Sequence, residues 1–249
     1  MNAPNWPGDW LWADWPAPDK VRAGMTTRAG GVSQGGYAGF NLATHVGDDP
    51  AAVAENRRRL RACLPAEPFW LDQVHGKGVL ELTDDRDASV QADASVARVP
   101  GRVCAVLTAD CLPTLFCDRA GSVVAAAHAG WRGLANGVLE ATVAAMAVAP
   151  DEILVWLGAA IGPDRFEVGA DVRAAFCDRD PRCVGAFKPA AGKWLADLYA
   201  LARIRLALVG VHAVFGGGLC TYTDAQRFYS YRRDAATGRM ASMIWLDPR

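Results

Sequence analysis

Three residues in this sequence could form a catalytic metal site: His75, Cys111 and His128. They are far apart in the chain, as ligands on different strands can be. Two imidazoles and one thiolate suit zinc, and three protein ligands leave a fourth position open for water or substrate. The pattern therefore indicates a metal-dependent enzyme.

Two acidic residues are candidates for proton transfer at such a site. Water bound to zinc ionises at a pH of about 7, so hydrolysis or deamination would need a carboxylate to move the proton. Asp93 and Asp110 are the candidates for this role, and Cys111 is a catalytic candidate beside them. For Asp110, capping a turn or orienting a ligand is an equally good interpretation.

Two arginines next to glycines could bind an anionic group. Arg28 comes shortly before Gly30-Gly31, and Arg132 lies in the stretch 130–133, which has a glycine at each end. A guanidinium matches phosphate or carboxylate, and flanking glycines let backbone N–H groups approach the same anion. An ordinary surface role for both arginines stays open. The sequence contains neither a Walker A motif nor a Rossmann fingerprint, which argues against ATP or NAD as cofactor.

The same residues allow two other kinds of site. Cys111 and His128 could be the nucleophile and base of a cysteine hydrolase, although His75 would then have no role. Copper is the other option, because two histidines and one cysteine match a blue-copper centre if Met25 or Met240 lies nearby. Multicopper oxidation needs a further cluster of imidazoles, and the chain has only four histidines in all. Copper therefore ranks below zinc.

Composition predicts a soluble globular protein. The 249 residues are 51% hydrophobic and carry a net charge of -1, so we expect a single domain over 1–249 that binds a small molecule and neither nucleic acid nor membrane. No secretory signal is apparent, which predicts a cytoplasmic location. Seven cysteines without CxxC spacing argue against a disulfide scaffold. We take a monomer as the expected state, although the sequence does not determine it.

Strands and helices must bring the distant residues together. Hydrophobic patterns predict strands just before His75 and around Cys111 and His128, so that all three residues lie at strand ends, where open sheets place ligands. The strands are expected over 71–74, 103–108, 114–117 and 123–128, and the longest helices over 49–64, 134–149 and 195–209. This alternation indicates an α/β or α+β domain with a mixed sheet.

Several unusual motifs in the chain resemble those of the YfiH-type family. Besides the stretches around His75, Cys111 and His128, they are Phe40-Asn41-Leu42, Gly47-Asp48-Asp49 and the segment 228–239, which ends in Thr237-Gly238-Arg239. The family is also called the polyphenol oxidase (laccase-domain) or peptidoglycan editing factor family, and the resemblance runs from about Trp15 to Leu246. It implies a four-layer α/β/β/α fold of the α+β class with mixed sheets, grouped with cysteine hydrolases.

The resemblance also implies a site and a set of activities. His75, Cys111 and His128 match the family's metal ligands one by one. Members have been assigned zinc-dependent purine nucleoside phosphorylase activity on adenosine, inosine and methylthioadenosine, together with adenosine deamination. Others are described as copper-dependent polyphenol oxidases, or as factors that keep wrong amino acids out of peptidoglycan precursors.

The residues themselves favour the nucleoside activities, because Arg28 or Arg132 could hold the phosphate that phosphorolysis needs. We therefore predict a zinc-dependent purine nucleoside phosphorylase, with adenosine deamination as a further activity. The first alternative is a hydrolase that edits nucleotide-linked peptidoglycan precursors, and the less favoured one is a copper-dependent polyphenol oxidase.

Overall fold

The computed structural model describes residues 9–83 and 90–248. Strands within these ranges are β1 (Leu11–Trp12), β2 (Val21–Met25), β3 (Val79–Glu81), β4 (Ala94–Ala97), β5 (Cys104–Thr108), β6 (Leu112–Asp118), β7 (Val124–Ala129), β8 (Ile153–Leu157), β9 (Glu167–Val168), β10 (Phe187–Ala190), β11 (Lys193–Ala196), β12 (Ala213–Gly216) and β13 (Met240–Leu246). The α-helices are α1 (Pro50–Arg61), α2 (Trp131–Asn136), α3 (Val138–Met146), α4 (Ala170–Cys177), α5 (Leu198–Leu208) and α6 (Tyr231–Asp234).

The strands form three sheets. The largest has the order β12-β8-β6-β7-β4-β3 and is mixed, because its two outermost pairs are parallel and its inner pairs antiparallel. A second sheet, β1-β2-β13-β5, is antiparallel throughout. The third is a small antiparallel sheet of β10, β11 and β9.

Side-chain alternation shows how the layers stack. In β13, Met240 and Ile244 pack into the core between the two larger sheets, whereas Met243 and Trp245 face the opposite side, where Leu60 of α1 packs. The other face of the six-stranded sheet is covered by α2, α3, α4 and α5. The order of layers is therefore helix, sheet, sheet, helices, which confirms the predicted four-layer α+β fold with mixed sheets.

Two predicted helices have different boundaries in the structure. The segment 134–149 is divided between α2 and α3 because Gly137 adopts φ +96°, a left-handed conformation that interrupts a helix and that glycine tolerates. The segment 195–209 begins with the last residues of β11. Its helix starts only after Asp197, whose side chain accepts a hydrogen bond from the backbone N–H of Ala200.

The prediction of a strand over 71–74 is wrong. A side chain makes the strand-like contacts instead. The Gln73 amide donates to the backbone oxygen of Leu107 at 2.9 Å and accepts from the Leu107 N–H at 2.8 Å. Gln73 therefore binds the free edge of β5 as a neighbouring strand would. This contact anchors the loop that carries His75.

A buried asparagine fixes the long loop between β2 and α1. The Asn56 side chain, fully buried in α1, accepts a hydrogen bond from the N–H of Val32 and donates to the Ser33 hydroxyl and to the backbone oxygens of Gly39 and Asn41. The loop contains two of the motifs that carry the family resemblance. Asn56 therefore connects those motifs to the helix that covers the second sheet.

We expect Asn56→Ala to lower the free energy of unfolding by about 2–3 kcal/mol, because it leaves several buried polar groups without partners. Urea denaturation followed by circular dichroism measures the change. Replacement of the exposed Asn136 by alanine is the matched control. A loss below about 0.5 kcal/mol, the size expected for a surface substitution, would contradict this role for Asn56.

Among the described residues, no helix combines the length and the apolar composition needed to cross a bilayer.

Candidate metal centre

The fold brings His75, Cys111 and His128 together. One potential ligand atom from each residue lies within 4.8 Å of the other two, and the Cys111 Sγ is 3.9 Å from the His75 Nε2. The two imidazole rings meet edge to face, with centroids 4.7 Å apart and an interplanar angle of 73°. Within 9–83 and 90–248, this is the one group of three or more histidine, cysteine or acidic side chains with such geometry.

Strand pairing explains why residues so distant in sequence meet. Cys111 immediately precedes β6, and His128 is the penultimate residue of β7. Because Leu112 pairs with Ala129 and Pro113 with His128, the antiparallel register places Cys111 beside the end of β7. His75 lies in the loop before β3.

Asp93 holds two of the three candidate ligands in place. Its carboxylate is fully buried, and Oδ1 accepts hydrogen bonds from the His128 Nδ1 at 2.8 Å and from the His75 backbone N–H at 2.9 Å. Oδ2 accepts from the N–H groups of Gly76 at 2.6 Å and Val74 at 3.2 Å. The bond to Nδ1 leaves the Nε2 of His128 free to bind a metal, an arrangement common in zinc proteins.

These contacts also bear on the backbone of His75, which adopts φ +58°. Residues other than glycine seldom adopt this left-handed conformation, which persists where surrounding contacts impose it. Here the three N–H groups bound by Asp93 impose it. Because both Asp93 oxygens are engaged in this way, the geometry favours a positioning role for Asp93 over the proton-transfer role that the sequence suggested.

Cys111 and His128 form an electrostatically coupled pair. Burial alone would raise the pKa of the Cys111 thiol, but the charge of His128 and hydrogen bonds from both histidines outweigh it and lower the pKa to about 6. Burial would likewise lower the pKa of His128, but the charge of Cys111 and the hydrogen bond to Asp93 raise it to about 9. The thiolate is the form of cysteine that binds metals and attacks electrophiles, so this environment prepares Cys111 for either role.

Asp110 shapes the turn that presents Cys111. Its backbone adopts φ +88°, and its carboxylate accepts hydrogen bonds from the Thr221 hydroxyl and from the Arg232 backbone N–H, both at 2.6 Å. The backbone oxygen of Asp110 also accepts from the Ile161 N–H. With both carboxylate oxygens engaged, Asp110 is better placed to position Cys111 than to transfer protons.

The two predicted anion-binding arginines differ in how they are held. The Arg28 guanidinium donates to the backbone oxygens of Ala38 and Ala225 and lies 4.8 Å from the centroid of the Tyr229 ring. Arg132 is exposed, follows the site closely in sequence and stacks on Trp131 at 4.5 Å. The structure therefore commits much of Arg28 to protein contacts and leaves Arg132 more accessible.

Gly130 is a site residue that was not predicted as such from the sequence. A β-carbon at position 130 would lie 2.9 Å from the Cys111 Sγ and 3.0 Å from the His75 Cδ2, so only glycine leaves room between the candidate ligands. The sequence signal for this role was the position of Gly130, two residues after His128 and immediately before α2.

We expect Gly130→Ala to lower zinc affinity about tenfold to a hundredfold, the range typical of substitutions next to metal ligands. Competition with a zinc-binding dye measures the affinity. Gly185→Ala is the matched control, because a β-carbon there meets no atom within 4 Å. Equal zinc affinity in the two variants would show that the space beside Gly130 does not matter for the metal.

The donor set fits a zinc ion. In a tetrahedral site, bond lengths of about 2.3 Å to sulfur and 2.0–2.1 Å to nitrogen place those two atoms about 3.6 Å apart. The observed 3.9 Å between the Cys111 Sγ and the His75 Nε2 is close to that value. The two methionines considered for copper are less suitable, because Met25 is buried in the core between the sheets and the Met240 sulfur accepts a hydrogen bond from the Tyr229 N–H.

Comparison with known proteins identifies the family. A family model described as multi-copper polyphenol oxidoreductase laccase matches residues 22–247. The chain belongs to this family. Within this laccase family, the chain is 59% identical to Purine nucleoside phosphorylase PA4543 of Pseudomonas aeruginosa, over 95% of this chain and 98% of the relative. It is also 59% identical to Purine nucleoside phosphorylase YfiH of Escherichia coli K12, over 93% and 96% of the two chains.

Solved structures of the family share the fold. A Neisseria meningitidis protein, NMB0706, superposes with a TM-score of 0.92 at 55% identity, covering 96% of this chain and 99% of its own. YlmD from Geobacillus stearothermophilus superposes with a TM-score of 0.88 at 31% identity, covering 96% of each chain. The YfiH-type resemblance and fold predicted from the sequence are thereby confirmed.

Proposed function

We propose that this protein is a zinc-dependent purine nucleoside phosphorylase that acts on inosine, adenosine and methylthioadenosine. The observation that carries the proposal is the meeting of two imidazoles and one thiol around the space left by Gly130. The names of the Pseudomonas and Escherichia relatives support the reaction class. We further propose that the enzyme is a cytoplasmic, single-domain monomer whose substrates are small molecules.

In the proposed reaction, a phosphate oxygen forms a bond to C1′ of the ribosyl group. The bond between C1′ and the purine nitrogen breaks, and its electron pair leaves with the purine, which takes up a proton from the phosphate or from water. When bound, zinc would supply Lewis acidity for this chemistry. Asp93 would keep the Nδ1 proton of His128, so that the ring presents Nε2 to the site. Arg132 is a candidate for the phosphate, because its guanidinium is exposed.

Adenosine deamination would be a further activity of the same site. That reaction needs a group that moves protons between water and the purine. The carboxylates of Asp93 and Asp110 each accept hydrogen bonds from protein donors on both oxygens, so deamination would require one of them to exchange a partner.

One observation supports a hydrolase as the second candidate function. The site also contains a possible nucleophile, base and orienting carboxylate, which are Cys111, His128 and Asp93 in that order. The Asp93 carboxylate is hydrogen-bonded to the Nδ1 of His128. Such a triad could cleave an amide bond in a nucleotide-linked peptidoglycan precursor. His75 would then serve only to support the thiolate.

Product analysis distinguishes the two candidates. Purified, zinc-loaded protein is incubated with inosine, with and without inorganic phosphate, and separately with a precursor that carries a wrong amino acid. We expect hypoxanthine and ribose 1-phosphate to appear only when phosphate is present. Release of an amino acid from the precursor, without any phosphorolysis of inosine, would favour the hydrolase instead.

A further inference from the structure

Arg239 lies beside the candidate metal centre, although it is not one of the three ligands. It immediately precedes β13, whose first residue, Met240, pairs with Thr108 at the end of β5. Continued by one residue, this antiparallel register places Arg239 opposite Ala109, next to the turn that presents Cys111. Burial lowers the pKa of Arg239, while the charges of Cys111 and of the neighbouring Asp110 act in the opposite direction, as expected for close neighbours.

The Arg239 side chain is held in place but keeps donors available. Its Nη1 donates to the backbone oxygens of Thr237 and Gly238, and its backbone N–H donates to the side chain of the buried Asn41. Within 9–83 and 90–248, no hydrogen-bond acceptor binds its Nε or Nη2, and the guanidinium carbon lies over the Tyr231 ring, 5.8 Å from its centroid. These two nitrogens form the edge of a guanidinium that matches two oxygens of a phosphate.

We propose that Arg239 forms an oxyanion subsite next to Cys111 that binds inorganic phosphate. The identity of phosphate as co-substrate rests on the proposed function, whereas the subsite itself rests on the strand register that places Arg239 and on the donors that its side chain keeps available. Arg28 already donates three times to backbone oxygens, and Arg132 lies exposed on Trp131. Arg239, by contrast, presents two free donors from a fixed position.

The loop before α1 is organised around the same contacts. The Oδ1 of Asn41 accepts from the N–H groups of Arg239 and Ala43, and its amide nitrogen donates to Asp48 at 2.8 Å. Asn41 therefore joins this loop to the residue that provides the proposed subsite. This contact gives a physical role to the motifs around Asn41, Asp48 and Arg239, which the metal centre alone leaves unexplained.

Kinetics of site variants test the subsite. We expect Arg239→Gln to raise the KM for phosphate about tenfold to a hundredfold, the loss typical of a charge-assisted hydrogen bond. The KM for inosine should stay within about twofold, the scatter expected of a residue that does not touch the nucleoside. Arg239→Lys, which keeps the charge, should recover part of the phosphate affinity.

Arg58→Gln, at an exposed position on α1, is the matched control. Arg132→Gln tests the competing phosphate candidate, and thermal melting checks that each variant is folded. An increase in the KM for phosphate in Arg132→Gln but not in Arg239→Gln would overturn the proposal. An unchanged phosphate KM in Arg239→Gln would overturn it as well.

A binding measurement separates the subsite from the reaction. Titration of the zinc-loaded protein with inorganic phosphate, followed by 31P NMR line broadening, requires no nucleoside. We expect binding in the wild type and its loss in Arg239→Gln. If phosphate binds in this way but inosine is not cleaved, the proposed function fails and the subsite stands. If the wild type binds no phosphate at millimolar concentration, the subsite is wrong.

Discussion

Replacement of Cys111 by alanine is expected to remove both the metal and the phosphorolysis of inosine. The thiolate contributes one of three candidate ligands, and its pKa of about 6 makes it the anionic donor of the set at neutral pH. Two imidazoles alone form a much weaker zinc site, so zinc affinity should fall by more than about a hundredfold. That is the upper end of the loss seen when residues that hydrogen-bond to metal ligands are replaced. Elemental analysis after dialysis and chromatography of the reaction products measure the two effects.

Cys177→Ala is the control, because this thiol lies at the end of α4 and belongs to no metal-binding group among the described residues. It should keep wild-type metal content and activity. If the Cys111→Ala variant retained one zinc per chain and full turnover, this would contradict the assignment of Cys111 as a metal ligand. Retained zinc without turnover would point instead to Cys111 as a nucleophile.

Replacement of Asp93 by alanine is expected to destabilise the fold and weaken the metal site together. The substitution leaves the buried His128 ring and three backbone N–H groups without their acceptor. Loss of one partner from a buried ion pair costs about 3–5 kcal/mol. Loss of the carboxylate behind a ligating histidine lowers metal affinity about tenfold to a hundredfold.

The two effects are measured by urea denaturation of the metal-free protein and by competition with a zinc chelator. Asp93→Asn keeps the shape of the side chain but places an amide among N–H donors, so its losses should be intermediate. The exposed Asp164, changed to alanine, is the control. A stability loss below about 1 kcal/mol in Asp93→Ala, no more than an average substitution, would show that Asp93 does not hold the site together.

Residue chemistry and strand periodicity predicted much of this structure. The donor types of His75, Cys111 and His128 suggested one site, and the structure brings the three residues together. The buried strand β5 was predicted to within one residue at its start, because its first four residues are all apolar. The family motifs supplied the order of layers, which periodicity alone left open between α/β and α+β.

Contacts between distant residues could not be predicted in the same way. The pairing of Gln73 with the edge of β5 depends on a side chain that imitates a strand, and no hydrophobic pattern indicates it. The role of Asp93 depends on which donors surround it after folding. Arg239 is adjacent to Cys111 only because β13 pairs with β5, although the two strands are far apart in the chain.

X-ray absorption spectroscopy of the zinc-loaded protein tests the central claim most directly, because it counts the atoms bound to the metal. We predict one sulfur at about 2.3 Å and two imidazole nitrogens at about 2.0–2.1 Å, with the sulfur absent from the spectrum of Cys111→Ala. A spectrum of the wild-type protein without any sulfur ligand, or with only one imidazole, would contradict the assignment of His75, Cys111 and His128 as a metal site.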